Sequence, residues 1–224
     1  MIKKNLMLVF ALGATFTYAQ NTNIELPTEF INNTTLGGVN NGLPNNVQGS
    51  PYANEEFVLG KVYAKGQEPY NGLLRYNAYQ DGIEMKTDKG IITLLKRDYL
   101  SAVMEGKHYR IENYKKNGAI RKTYFVEMNE GNARLLLKQG KNFVEERVAT
   151  SSYSKDQPAK FEDDNSYYII TEGNPGVEVR LRSKNIIAAL PDHQKEIAAF
   201  AKKNKLKMKT EEEVLQVLAY YNTL

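Results

Sequence analysis

The residues able to do chemistry are few and scattered. The chain of 224 residues has no cysteine, two histidines and no Gly-X-Ser-X-Gly segment, so neither a thiol nor an elbow-borne serine offers itself as nucleophile. His108 falls in a strand-like run and His193 in the first turn of a helical one, with no ligand spacing around either. Glu162-Asp163-Asp164-Asn165 is the one dense group of oxygen ligands. It could hold Ca²⁺, yet it lacks the alternating spacing and terminal Glu of an EF-hand loop, and a solvated turn accounts for it equally. Leu36-Gly37-Gly38-Val39-Asn40-Asn41-Gly42 is Gly-rich, but no strand precedes it and no Lys-Ser/Thr follows, so it is not a phosphate loop. An enzyme would have to be assembled from distant residues such as His108, Glu127 and Asp163. A hydrolase or metal-dependent enzyme of that kind is the alternative reading, and no cofactor is expected.

Binding is the favoured chemistry. Lys202, Lys203, Lys205, Lys207 and Lys209 put five positive charges in eight residues, which could meet an anionic lipid head group or a polysaccharide. The simpler account is that Lys202 and Lys203 complement the negative end of a helix while the rest form the wet side of an extended segment. Fifteen Tyr and no Trp are unusual. A Tyr on an open sheet can stack on a sugar ring or line an interface, because its ring is apolar and its hydroxyl bonds. The residues expected to bind are therefore Arg75, Asn77 and Tyr79 on one hairpin face, with Lys202, Lys203 and Lys205. The expected partner is an envelope protein, a glycan or an anionic lipid. The formal charge of +4 falls to about +2 without Lys3 and Lys4, too balanced to imply nucleic acid.

Those side chains need positioning, and one hairpin anchors the rest. Asp81-Gly82 lies between two runs of β-forming residues and predicts a two-residue type I′ turn. Gln80 would then face Ile83, Tyr79 Glu84, Ala78 Met85 and Tyr76 Thr87. Leu74, Tyr76, Ala78, Ile83 and Met85 share one face; Arg75, Asn77, Tyr79, Glu84 and Lys86 share the other. Further strand-like runs are Phe57–Tyr63, Gly90–Leu95, His108–Tyr114, Ala119–Met128, Ala133–Lys138, Asn142–Val148, Ser166–Thr171 and Gly176–Arg182. Turn residues between them, such as Asn117-Gly118 and Gln139-Gly140-Lys141, indicate an antiparallel meander, roll or partly open barrel. After Arg182 the apolar period becomes helical. Ser183–Leu190 gives a turn or two before Pro191, Ile197, Phe200 and Ala201 mark a second helix, and Thr210 to Glu213 is a capping box opening a third stripe of Val214, Val217, Leu218 and Tyr221. The fold class expected is α+β, mainly antiparallel β, with a C-terminal helical pair packed on the sheet.

Residues 1–19 read as a signal peptide: Lys3 and Lys4, a short apolar run from Leu6 to Ala14, and Ala19 at the cleavage position. That run is too short to span a bilayer, and no other stretch approaches spanning length. Without Cys there is nothing to lipidate, and an exported chain of this size without disulfides suits a bacterial envelope. Residues 20–54 are an Asn-rich leader, extended or disordered, with nine Asn and no apolar period. Residues 55–224 form a single β-rich domain whose helices occupy 184–224. The expected location is the periplasm or cell surface of a Gram-negative bacterium.

Arg75-Tyr76-Asn77-Ala78-Tyr79-Gln80-Asp81-Gly82-Ile83-Glu84 resembles an Arg-Tyr-Asn-X-Tyr-X-Asp-Glu-Ile-Glu hairpin in uncharacterised exported proteins of Bacteroidota. The run from Lys202 to Asn222 is similar to their C-termini, and the likeness spans about residues 52–222. Gly82 departs from the pattern, where Glu is the rule. The resemblance implies export and the fold just described, and it assigns no activity and no catalytic residue.

Overall fold

A computed structural model describes residues 31–32, 46–149 and 155–224 of the chain. The segment expected as signal peptide, and most of the expected leader, lie outside those residues. Eleven strands form one antiparallel sheet that curls into a half-barrel, and three helices follow it, so the α+β class holds. In chain order the strands are β1 (Ile31–Asn32), β2 (Val58–Ala64), β3 (Tyr70–Asn77), β4 (Gly82–Thr87), β5 (Gly90–Leu94), β6 (Leu100–Met104), β7 (Lys107–Lys116), β8 (Ala119–Glu127), β9 (Ala133–Lys138), β10 (Lys141–Val144), β11 (Lys160–Asp163), β12 (Ser166–Thr171) and β13 (Val177–Val179). In space the order is β1-β5-β4-β3-β2-β6-β7-β8-β9-β12-β13, with β10 and β11 paired separately. Two meanders therefore share β2 as their seam. The chain runs outward from β2 to β5, returns to lay β6 on the other side of β2, and meanders on.

Turn chemistry sets the registers. Asn117-Gly118 and Glu105-Gly106 both have two successive positive φ values, as a two-residue type I′ loop requires. Lys116 then faces Ala119, and Met104 faces Lys107. The hairpin at Asp81 closes differently from the sequence expectation. Asn77 faces Gly82, Tyr76 faces Ile83 and Leu74 faces Met85, leaving a four-residue loop of Ala78 to Asp81. The Asn77 side-chain oxygen accepts from Gln80 N at 3.0 Å, and Asp81 takes the left-handed conformation. The Asp81 carboxylate turns inward and accepts from the Tyr76 hydroxyl at 2.8 Å, from Tyr124 N at 3.1 Å and from Lys96. A tighter turn would carry that carboxylate to the tip, away from all three donors. Each partner moves by four positions, an even number, so the strand residues keep the faces expected of them.

One face carries the largest core. Val62, Leu74, Tyr76, Ile83, Met85, Leu100, Met104, Tyr109, Ile111 and Tyr124 are buried there. Tyr76 lies 5.3 Å from the Tyr109 ring and 6.2 Å from that of Tyr124. Burial, and after it the Asp81 carboxylate, holds the Tyr76 and Tyr124 hydroxyls well above the ordinary phenol range. Much of the tyrosine content is thus interior structure.

Farther along the same face, β9, β12 and β13 are covered by α1 (Ser183–Ala189), α2 (Gln194–Lys203) and α3 (Glu211–Tyr221). Ala133, Leu135, Ile169 and Val179 of the sheet meet Ile186, Ile197, Val214, Val217 and Leu218 of the helices. Thr210 caps α3 by accepting from Glu213 N, while Glu213 reaches back to Lys209 N, one residue beyond the expected capping box. The connector before it is not simply extended, since Lys205 and Met208 both have positive φ and Met208 is fully buried.

The described part of the 20–54 segment is tied to the sheet. Gln48 N donates to Ala159 O and Gln48 O accepts from Phe161 N, while Ala53 N donates to Tyr76 O. β10 and β11 also correct the sequence reading, which set the 142–148 run against β9. β9 is already flanked by β8 and β12, and β10 pairs with β11 because Gly140 is held on both sides, to Asp164 N and Asn165 Oδ1.

Candidate functional site

The opposite sheet face is where charge collects. The registers place Lys61, Val103, His108 and Glu127 in one cross-strand row, and Tyr63, Ser101, Arg110 and Phe125 in the next. Glu112 and Thr123 form a third row. At the β9–β12 end this face is closed over. Gly176 N donates to Asn113 O at 2.8 Å and Lys115 N to Gly176 O at 2.9 Å, which draws the β12–β13 turn back onto β7. Tyr114, Phe125, Leu136, Tyr168 and Ile170 are buried beneath that closure, with the Tyr114, Phe125 and Tyr168 rings edge to face at 5.1 to 5.8 Å.

A ladder of four charges runs across β7, β8 and β9 beside this cluster. Arg134 Nη1 donates to Glu127 Oε1 at 2.6 Å, and Arg134 Nη2 donates to Glu112 Oε1 at 2.7 Å. Arg110 Nη1 reaches Glu127 Oε2 at 3.2 Å. Glu127 has 8% of its side chain exposed and Arg134 19%, whereas Arg110 is mostly open to solvent. Burial alone would lower the Arg134 guanidinium; its hydrogen bonds and charge pairing with Glu127 and Glu112 more than offset that and raise it. Thr123, across from Glu112, is buried with no partner for its hydroxyl among the described residues.

Two clefts meet at this ladder. One, of about 400 Å³, is lined by Lys65, Asp98, Tyr99, Ser101, Arg110 and Glu112. The other, of about 460 Å³, has Glu112, Arg134, Ile120, Ile170, Asn174 and Pro175 around it. Glu112 and Asn113 border both clefts, which are together termed the groove. The described residues contain no group of three or more metal-ligating acids and histidines. Compared with family models, with curated proteins and with solved structures, the chain matches none.

The residues expected to bind are dispersed. Arg75 is spent inside the fold: it donates to Glu84 and to Tyr52 Oη, and its guanidinium lies 3.6 Å from the Tyr52 ring centre and 4.2 Å from that of Phe57. Asn77 is buried and holds Glu84 at 3.2 Å and Gln80. Tyr79 is 44% exposed, its ring edge to face with Phe161 at 5.3 Å. Lys202, Lys203 and Lys205 are exposed at and just beyond the end of α2, away from Tyr79 on the β3–β4 hairpin. Of the scattered acid–base set, His108 does face Glu127 across the strands, but Asp163 is in the other sheet, paired with Lys141 at 2.6 Å. Glu162 pairs with Lys160, so the acidic run forms strand and turn.

The ladder was missed from sequence, although part of its signal is there. The Asn117-Gly118 turn fixes which residues of β7 and β8 meet, and Arg110, Glu112 and Glu127 all fall on the face opposite Tyr109 and Ile111. Arg134 could not be placed, because an irregular connection of five residues separates β8 from β9. Replacing Glu127 by Gln should cost about 1.5–3 kcal/mol, the usual range for a hydrogen bond to a charged group, because both guanidinium contacts lose a full charge. Chemical denaturation of the two proteins measures it, and equal midpoints would show that the ladder adds nothing to stability.

Proposed function

We propose that this chain is a non-enzymatic, exported envelope protein that works as a binding module, with the groove and the open rows of the second sheet face as its contact surface. The observation that carries this is the state of the carboxylates. A general acid or base must offer the substrate an unoccupied oxygen or a mobile proton. Both oxygens of Glu127 are taken by guanidinium groups, and one oxygen of Glu112 is taken as well. Paired charges locked in a row make a rigid recognition surface instead. The face beside them is uncovered: Leu59 and Leu73 oppose each other at 75% and 41% exposure, and Tyr63 stands in the row of Ser101 and Arg110. Export rests on the segment 1–19. No helix among the described residues is long and apolar enough to cross a membrane.

The test is retention of the purified chain on isolated envelopes. Tyr63→Ala combined with Leu59→Ser, both exposed on this face, should reduce retention at least about tenfold, the loss of roughly one contact hot spot, without moving the melting temperature. Undiminished retention of this double variant would remove the second face as the contact surface.

A further inference from the structure

The groove's lining is specific enough to name a ligand class. We infer that it takes a neutral glycan chain, an inference that rests on the binding reading above. Three positive groups, Lys65, Arg110 and Arg134, stand against three negative ones, Asp98, Glu112 and Glu172. A groove so balanced has no net attraction for a polyanion, whose capture needs an excess of Lys and Arg. Charged side chains such as Arg110, Glu112 and Arg134 interrupt its lining, whereas an acyl chain or an amphipathic helix requires a continuous apolar slot.

What the groove does offer is donors and acceptors held side by side. A sugar hydroxyl both donates and accepts, so it is best met by mixed pairs of planar groups. Arg134 Nη2 and Glu112 Oε1, 2.7 Å apart, are such a pair, with the second Glu112 oxygen not held by Arg134. Their geometry is set before any ligand arrives, because each group is fixed by the next along the ladder, and preorganisation lowers the ordering cost of binding. The carbonyl oxygen of the Asn174 side chain is unused, while its nitrogen holds Thr171 and Glu172. Apolar rim residues complete the set: Ile120 and Tyr99, at 64% and 44% exposure, stand where the C–H face of a sugar ring could lie. Each cleft is within the volume range of small-ligand sites, and two that share a border at Glu112 suit successive units of a sugar chain.

The experiment is calorimetric titration of the full exported chain with three neutral hexasaccharides, maltohexaose, cellohexaose and mannohexaose, beside an oligogalacturonate and vesicles containing phosphatidylglycerol. At least one neutral hexasaccharide should bind with Kd below about 1 mM, and raising the salt from about 50 to 500 mM should change that Kd less than twofold, since no net charge is neutralised. Asn174→Ala should weaken it at least fivefold and Ser101→Trp, which fills one cleft, should abolish it. Lys202, Lys203 and Lys205 changed together to Ser should leave it unchanged. Binding only to the oligogalacturonate or the vesicles, binding that survives Ser101→Trp, or no binding by any neutral hexasaccharide overturns the inference. If envelope retention still depends on Leu59 and Tyr63 in that event, the binding module stands and only the glycan is wrong; if retention is also indifferent, both fail.

Discussion

Met85→Asp should leave the protein at or beyond the edge of unfolding, while Lys86→Asp one residue away should be nearly silent. Met85 is buried in the largest core, opposite Leu74 on β3 and Ile92 on β5, and its sulfur lies over Gly72. Lys86 is exposed on the other face. An unpaired carboxyl placed among those apolar side chains costs on the order of 5 kcal/mol, against a total stability of about 5–15 kcal/mol for a typical domain. The pH dependence has a definite sign. Burial raises the folded-state pKa of the introduced carboxyl above its unfolded value, so the folded form binds the extra proton. The deficit of Met85→Asp is therefore complete above that raised folded pKa and shrinks steadily as pH falls from it, levelling off below the unfolded value of about 3.9. Thermal melts of the three proteins at pH 7 and pH 4.5 measure both effects. Equal melting temperatures for Met85→Asp and Lys86→Asp would refute the assignment of faces on which the fold rests.

Leu218→Ala is expected to cost about 2–5 kcal/mol, the range for emptying a fully buried leucine site. Leu218 is in the middle of the α3 stripe, between Val214 and Tyr221, against the Leu135 side of the sheet. The helix has polar ties as well, so the site has little room to collapse. The Tyr221 hydroxyl donates to Asp192 at 2.5 Å, and burial together with that carboxylate pushes it up to about 12. Asn222 closes the end: its oxygen accepts from Ala133 N at 2.8 Å and its nitrogen donates to the Ala133 and Glu130 carbonyls. Gly131 lies directly under that amide, where a Cβ would come within 2.4 Å of its nitrogen. A chain ending at Lys209 would lose all of this and expose Leu135, Ile169 and Val179, so it should melt well below the full chain or fail to fold. Calorimetry of Leu218→Ala and of the truncated chain decides the matter. Melting unchanged in both would mean that α3 does not belong to the cooperative unit.

Much of this architecture is written locally. Period-two alternation puts Leu74, Tyr76, Ile83 and Met85 on one face whatever the loop length, since only an odd slip exchanges faces. Asn117-Gly118 forces its type I′ turn because both residues tolerate positive φ. Thr210 and the Val214–Tyr221 stripe announce α3 and its buried side by the same kind of short-range rule. The candidate groove is different in kind. Arg110, Glu127, Arg134 and Glu112 sit on three strands, and their pairing depends on the β8–β9 register, which no turn motif specifies. Closure of the β12–β13 turn onto Asn113 and Lys115 is a contact between segments about sixty residues apart. The same distance-dependence separates Arg75 from a binding role, because Tyr52 and Phe57 reach it only once the chain before β2 has folded across the hairpin. Glu84, which also holds Arg75 and Asn77, lies within the hairpin itself. Sequence alone determined the faces, the Asn117-Gly118 turn and the helices, since each follows from backbone sterics and neighbours within a few residues, whereas the Asp81 loop was set by the donors its carboxylate meets. Which charges meet, and where a cleft opens beside them, was decided by the tertiary structure, since charges at long chain separation attract whichever opposite charge the packed strands bring within reach.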